Sequence, residues 1–373
     1  MSGIDAISTS GPGNISAGKD RMMTTAYAFV GCRTTVERNA RGKGIVTFRY
    51  DPTTGEWNDT GLLAAQENPS FLALDASQKR LYTVHGDGTD ASAFVIDEAT
   101  GGLSFLNRRT TKGRNPAHLT LVESGTALAV ANYATGTIAT LPIGADGSLG
   151  EVTRLVSMPG EPGPHRIEQG SSHPHHIPVL PGSNWHVVPD KGLDTVFLYR
   201  WSAGAAEIHG FRARESAGPR HAAFNPKLPL VYVANELDST VTVWQVDAVA
   251  GALAPRQCLS LMPTDYQGAN RASGIAVTPD GKSMFVSNRG HESVTGFAVD
   301  PATGLLELRS WTNCGGKKPR FITLDPSGFR LFVANEDTDT IVEFQVGEQP
   351  GTLKPTGQVI RTGSPTCIVF KTI

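Results

Sequence analysis

The chain has 373 residues, a formal net charge of −2, 41 Gly, 24 Pro and four cysteines. A charge so close to zero supplies no basic field for nucleic acid or an anionic membrane, and that many Gly and Pro leave little room for long helices. Cys32, Cys258, Cys314 and Cys367 form no Cys-x-x-Cys pair, so neither a disulfide framework nor a zinc site is implied.

Residues 1–24 lack the apolar core of a secretory signal and are predicted to be a disordered tail. Residues 25–373 are predicted to form one domain. No stretch in the chain is long enough to span a membrane, so a soluble, reduced, cytoplasmic protein is expected. TTAYAFVGC, GIVTFRYD and WNDTGLLA come first and read as the second, third and fourth strands of a unit that lacks its own first strand.

One pattern then recurs. An apolar strand opens with Pro or a small residue, and 16 residues later a second strand ends in Asn, Asp or His. The openings are Pro69, Pro116, Pro174, Pro219, Ala272 and Pro319; the endings are His85, Asn132, Asp190, Asn235, Asn288 and Asn335. Openings spaced 47, 58, 45, 53 and 47 residues apart mark the blades of a β-propeller. Two more strands complete each unit, such as Thr240–Trp244 with its alternation of period 2. Turns such as Asp-Pro-Ser-Gly (325–328) and Asp-Pro-Ala-Thr-Gly (300–304) carry Pro for its fixed φ and Gly for positive φ. The recurring Asn and the Ser or Thr five positions later are predicted to be turn residues bonding nearby backbone. Ser364–Phe370 is a first strand without successors. Pairing it with the N-terminal strands completes a seventh blade and leaves no open edge. The predicted fold is therefore all-β: a seven-bladed β-propeller with four antiparallel strands per blade, its ring closed by the C-terminal strand joining the N-terminal blade. Closure would bring Cys32 near Cys367 as buried apolar side chains.

In such a ring, the starts of first strands and the ends of second strands meet on one rim of the central channel. One residue into the first strand, the repeats carry Ser70, Ala117, His175, Arg220, Ser273, Arg320 and Thr366. One residue past the second they carry Gly86, Tyr133, Lys191, Glu236, Arg289 and Glu336. A scaffold has no need of His, Arg and Glu at equivalent positions, so their convergence points to an anion-binding, acid–base site. His173 should face the same way as His175, and His176 the other way, as a core histidine. Zinc at the His-Pro-His-His run is disfavoured by the lack of Cys or carboxylate partners at ligand spacing. Two long segments, Met158–Ser172 and Met262–Arg271, enter from this rim as candidate lids or walls.

SHPHH at 172–176, GPRH at 218–221, Asn-Glu-Leu at 235–237, SNRGHES at 287–293 and the closing SPTCIVF resemble the seven-bladed propeller lactonase family. That family includes propeller-type 6-phosphogluconolactonases and 3-carboxy-cis,cis-muconate lactonizing enzymes. The resemblance places the family's functional His on His175, its Arg on Arg220, its Glu on Glu236 and the Arg of its Asn-Arg pair on Arg289. It implies hydrolysis of an acidic sugar lactone without metal or cofactor, with His175 or Glu236 as base and Arg220 stabilising the developing oxyanion. His173, His221, Asn288, Arg289, Arg320 and Glu336 complete the expected substrate-binding set. One alternative is a cycloisomerase acting on a carboxymuconate, whose dicarboxylate the same arginines would hold. The other is a non-enzymatic interaction platform, which would call for an apolar or aromatic rim. The expected partner is a small anionic lactone or dicarboxylate, with no nucleic acid and no membrane; the oligomeric state is left open.

Overall fold

The computed structural model describes residues 26–372; the tail predicted over 1–24 lies outside the described residues. Within them the chain forms seven antiparallel sheets. In chain order, the sheet starting at Ala26 is the first blade and the sheet starting at Pro319 the seventh. The first blade is composite. Pro365–Thr372 pairs antiparallel with Ala26–Cys32, which is followed by Ile45–Tyr50 and Trp57–Ala64, so both chain ends lie in one sheet and the ring is sealed. Cys32 and Cys367 are both fully buried but belong to different apolar clusters. Burial pushes both thiols up to about 12, so they act as packing groups.

Second strands are buried at every position in several blades, as in Ala127–Asn132 and Leu230–Asn235, because they lie between neighbouring strands and neighbouring blades. Fourth strands alternate between half-buried and exposed, as in Trp57–Ala64. Six sheets have four strands, whereas the fourth blade has three, at His186–Asp190, Thr195–Ser202 and Ala205–Arg212. Its inner segment follows the repeat but pairs through isolated bridges, from Pro174 to Asp190 and from Val179 to His186, and single backbone bonds such as His175 N–H to the Pro189 carbonyl (3.0 Å), without a continuous ladder. Pro174, Pro178, Pro181 and the facing Pro189 have no N–H to donate, so a regular ladder cannot form there.

Two local devices aim the inner rim. In the second, third, fifth and seventh blades the inner strand bulges at the residue after its Pro, leaving Ser70, Ala117, Arg220 and Arg320 out of the ladder. The closing strand does the same at Thr366. A bulge re-aims a side chain, which is why these positions turn to the channel mouth instead of following simple alternation. The second device is a repeated hydrogen bond. In five blades the N–H one residue past the second strand donates to the carbonyl just before the inner strand: Gly86 to Asn68 (2.9 Å), Tyr133 to Asn115 (3.0 Å), Lys191 to His173 (3.0 Å), Glu236 to Gly218 (2.7 Å) and Glu336 to Lys318 (3.0 Å). Arg33 donates to Ser364 at 3.0 Å in the same way, so it is the first blade's equivalent of Lys191 and Glu236.

The repeating Asn meets backbone, as expected, in two blades, where the Asn132 amide donates to the Thr111 carbonyl (3.3 Å) and the Asn335 amide to the Cys314 carbonyl (3.1 Å). In four blades its amide also donates to the hydroxyl five positions on, in Asn132–Thr137 (3.2 Å), Asn235–Thr240 (2.8 Å), Asn288–Ser293 (3.2 Å) and Asn335–Thr340 (3.4 Å). Asp190, a carboxylate at this place, serves the backbone, accepting the N–H groups of His173, Gly192 and Leu193 at 2.8–3.0 Å.

Candidate active site

Inside the ring, the residues following the bulges fill the central shaft with aromatic rings. Phe71 lies 4.3 Å from His118, His118 lies 4.0 Å from His176, and His176 stacks on His221 at 4.5 Å. Nδ1 of His118 accepts the Ile177 N–H and Nδ1 of His176 accepts the Ala222 N–H, each at 3.2 Å. Burial lowers the His118 and His221 imidazoles well below the ordinary value and His176 to about 3, so all three are neutral. His176 is the core histidine that alternation suggested. His221, placed by the sequence among substrate-binding residues, belongs to this plug instead.

Beside the plug lies a polar cavity of about 230 Å³. His175, Glu236, Arg289 and Arg320 line it, as expected. So do Ser70, Ala117, Tyr133 and Lys191, all at the two rim positions singled out above. The other members of the expected set stand back from it. Arg220 is 2 % exposed and lies behind Glu236, its Nε 3.0 Å from Oε2. His173 stacks on the Tyr133 ring at 4.5 Å. Glu336 sits between Arg33 (3.7 Å), Lys318 (3.4 Å) and Arg320 (3.8 Å). Asn288 is fully buried and bonded to Ser293 and Thr295, because it is the repeat's own Asn.

Sequence reasoning missed Arg33, Arg38, Asn115 and Glu168, which also line the cavity. Arg33 would have emerged from applying the one-past-the-second-strand rule to the incomplete first blade. Glu168 comes from the 158–172 segment and joins Lys191 Nζ at 2.8 Å and Arg271 Nη2 at 2.6 Å. Arg271 closes the 262–271 segment, so the two long segments are tied together across the mouth.

The electrostatics centre on Glu236. Oε1 is 2.8 Å from Lys191 Nζ and 3.3 Å from Arg271 Nη1, while Oε2 is 2.9 Å from Arg289 Nη2. With Arg220, four cations surround one carboxylate. Burial alone would raise its pKa, but Arg289, Lys191 and Arg220 outweigh burial and hold it well below the carboxylate range. Burial and the Arg289 charge push Arg220 down, yet a guanidinium paired with an ionised carboxylate stays cationic at neutral pH. His175 is driven well below the ordinary histidine value by burial and then by Arg220, so its imidazole is neutral.

Several buried polar atoms here have no hydrogen-bond partner: His175 Nδ1, Arg220 Nη1, Arg289 Nε, Arg33 Nε and Ser70 Oγ. Orphans of this kind are rare in folded proteins, and their clustering makes this cavity the candidate binding site. Among the described residues, no group of three or more His, Cys, Asp or Glu is placed to hold a metal ion. A larger cleft of about 420 Å³ opens between the third and fourth blades, but its charges, Glu123 and Arg154, are already paired with each other.

A ring with a cation-rich, imidazole-bearing cavity at its mouth has the make-up of a propeller enzyme. The comparisons give the family. A model of the seven-bladed β-propeller lactonase family matches residues 27–370, and the chain belongs to that family. It is 30% identical over 351 residues to a 6-phosphogluconolactonase of Bacillus subtilis, covering 93% of this chain and 99% of that one. It is 28% identical over 346 residues to one of Formosa agariphila, covering 88% and 96% of the two chains. The structure of a periplasmic gluconolactonase of Pseudomonas aeruginosa superposes with a TM-score of 0.86 at 28% identity, covering 93% and 99%. Among the described residues no helix is long and apolar enough to cross a membrane.

Proposed function

We propose that this protein hydrolyses an acidic sugar lactone of the 6-phosphogluconolactone kind, with His175 as the general base and no metal. The observation that carries this reading is a neutral His175, its Nδ1 unpartnered, beside a cavity that gathers Arg33, Arg38, Lys191, Arg289 and Arg320. The base must be proton-free before reaction, and His175 is. Glu236 is also ionised, but four cations make it a weak proton acceptor, so its part is to hold Lys191, Arg220 and Arg289 in place. Water gives a proton to the imidazole as its oxygen attacks the lactone carbonyl. Lys191 and Arg289 face the negative charge that develops on the carbonyl oxygen. The ring C–O bond then breaks, the imidazolium returns its proton to the departing oxygen, and the open hydroxy acid leaves.

A cycloisomerase needs an acid to protonate carbon, and neither the neutral His175 nor the ionised Glu236 offers one. An interaction platform would not leave charged donors unpaired in a closed pocket. Free cysteines at all four positions fit a reducing cytoplasm. A panel of 6-phosphogluconolactone, glucono-δ-lactone and a muconolactone, followed by loss of the lactone carbonyl infrared band, tests the reading. The two sugar lactones should open and the muconolactone should not; turnover of the muconolactone alone would refute it.

A further inference from the structure

Cations outnumber carboxylates at both ends of the cavity. Around Glu236, each cation has a carboxylate contact within 3.3 Å. At the other end, Asp87 alone serves two guanidinium groups: Oδ2 accepts from Arg33 Nη1 at 2.6 Å and from Arg38 Nε at 2.8 Å, and Oδ1 accepts from Arg38 Nη2. One carboxylate between two arginines leaves a full positive charge over. The remaining carboxylate nearby, Glu336, is already shared with Lys318 and Arg320 and only approaches Arg33 at 3.7 Å.

Two groups here wait for a partner. Arg33 has a side chain 4 % exposed and an Nε without a hydrogen bond; Ser70, buried, has an unbonded Oγ. Both line the cavity, as do Arg38 and Asn115. Asn115 spends its Oδ1 on the Asp87 N–H at 3.0 Å, which leaves its amide NH₂ to give. Gly86 keeps the space open. It occupies the rim position where other blades carry Lys191 or Glu236, and a Cβ there would sit 2.7 Å from Ser70 Oγ and 3.0 Å from Arg33 Nη1.

We propose that Arg33, Arg38, Ser70 and Asn115 form a subsite for a phosphate monoester dianion, so that the enzyme favours phosphorylated over unphosphorylated sugar lactones. The donors come from three separate stretches of chain and suit three acceptor oxygens on one phosphorus, whereas a carboxylate offers two oxygens in one plane. The surplus charge suits a dianion. The inference rests on the lactonase reading for its substrate, but the binding experiment below does not need turnover.

Titration calorimetry of the full chain with 6-phosphogluconate, gluconate and inorganic phosphate tests the subsite directly. The wild type should bind 6-phosphogluconate at least about tenfold more tightly than gluconate, with inorganic phosphate competing. Arg38→Ala, at a half-exposed position that spares the core, and Ser70→Ala should each cut that preference about fivefold or more, and the phospho-to-plain kcat/KM ratio should fall in step. Equal binding of the two aldonates, or a preference unchanged in both variants, would overturn the subsite. A wild type that opens neither lactone would overturn the hydrolytic reading, and the binding preference would still decide the subsite.

Discussion

At the scale of single residues, the site is organised by what surrounds each ionisable group. Glu236 is the point on which Lys191, Arg220, Arg271 and Arg289 converge, so Glu236→Gln removes the charge that keeps four cations together. Turnover should fall by about tenfold to a thousandfold while KM also rises, the pattern of lost positioning. His175, the proposed base, has a folded-state value well below 6.5, so its unprotonated form prevails at neutral pH. With an unphosphorylated lactone, which brings no titrating phosphate, kcat/KM should therefore stay flat as pH falls through 6.5 and decline only well below it. A midpoint near 6.5 would mean an ordinary, solvated histidine. The same cations make the cavity hostile to a divalent ion, so activity should survive dialysis against EDTA; loss restored by one divalent metal would contradict this. Lys191, Glu236 and Arg289 were legible as non-scaffold residues at equivalent repeat positions. Arg38 and Glu168 were not, because they come from segments outside the repeat, where no neighbouring blade offers a comparison.

At the scale of elements, the bulge of the inner strand separates what the sequence revealed from what it concealed. The spacing of Pro219 and Asn235 located the strands, but plain alternation cannot show that Arg220 leaves the ladder and that His221 therefore turns into the shaft. Asn288 misled for the opposite reason. Its place in the Asn-Arg pair suggested a ligand contact, whereas the repeat of Asn132, Asn235 and Asn335 already identified a scaffold amide. That scaffold role is testable at Thr240, whose hydroxyl accepts from Asn235 at 2.8 Å and donates to Asp238 at 2.7 Å. Thr240→Ala should cost about 1–2 kcal/mol in denaturant unfolding and leave kcat unchanged. A stable but inactive Thr240→Ala would place the turn in the chemistry.

At the scale of the whole molecule, closure and buried imidazoles set the stability. Strand 365–372 covers the otherwise open, fully buried edge Ala26–Cys32, so deleting 364–373 should yield an aggregating chain with a sharply lower Tm. A monomeric deletion variant of unchanged Tm would deny the seal. The imidazoles of His118, His175, His186 and His221 are all buried with folded-state values below 6.5, so the unfolded chain takes up protons first as the solution is acidified. Stability is full above about pH 6.5 and is lost as pH falls below it. His186 alone, lowered by burial to about 4, should remove about 2 kcal/mol by pH 5. Urea unfolding at pH 7 and pH 5 checks the direction. Ring, plug and latched segments together exist, in this account, to hold one neutral histidine against a lactone among fixed cations. The most direct test is the rate of 6-phosphogluconolactone opening by the wild type and by His175→Ala of matched Tm. The expected result is rapid opening by the wild type and a loss of about a hundredfold or more in the variant; an equally fast variant would contradict the central claim.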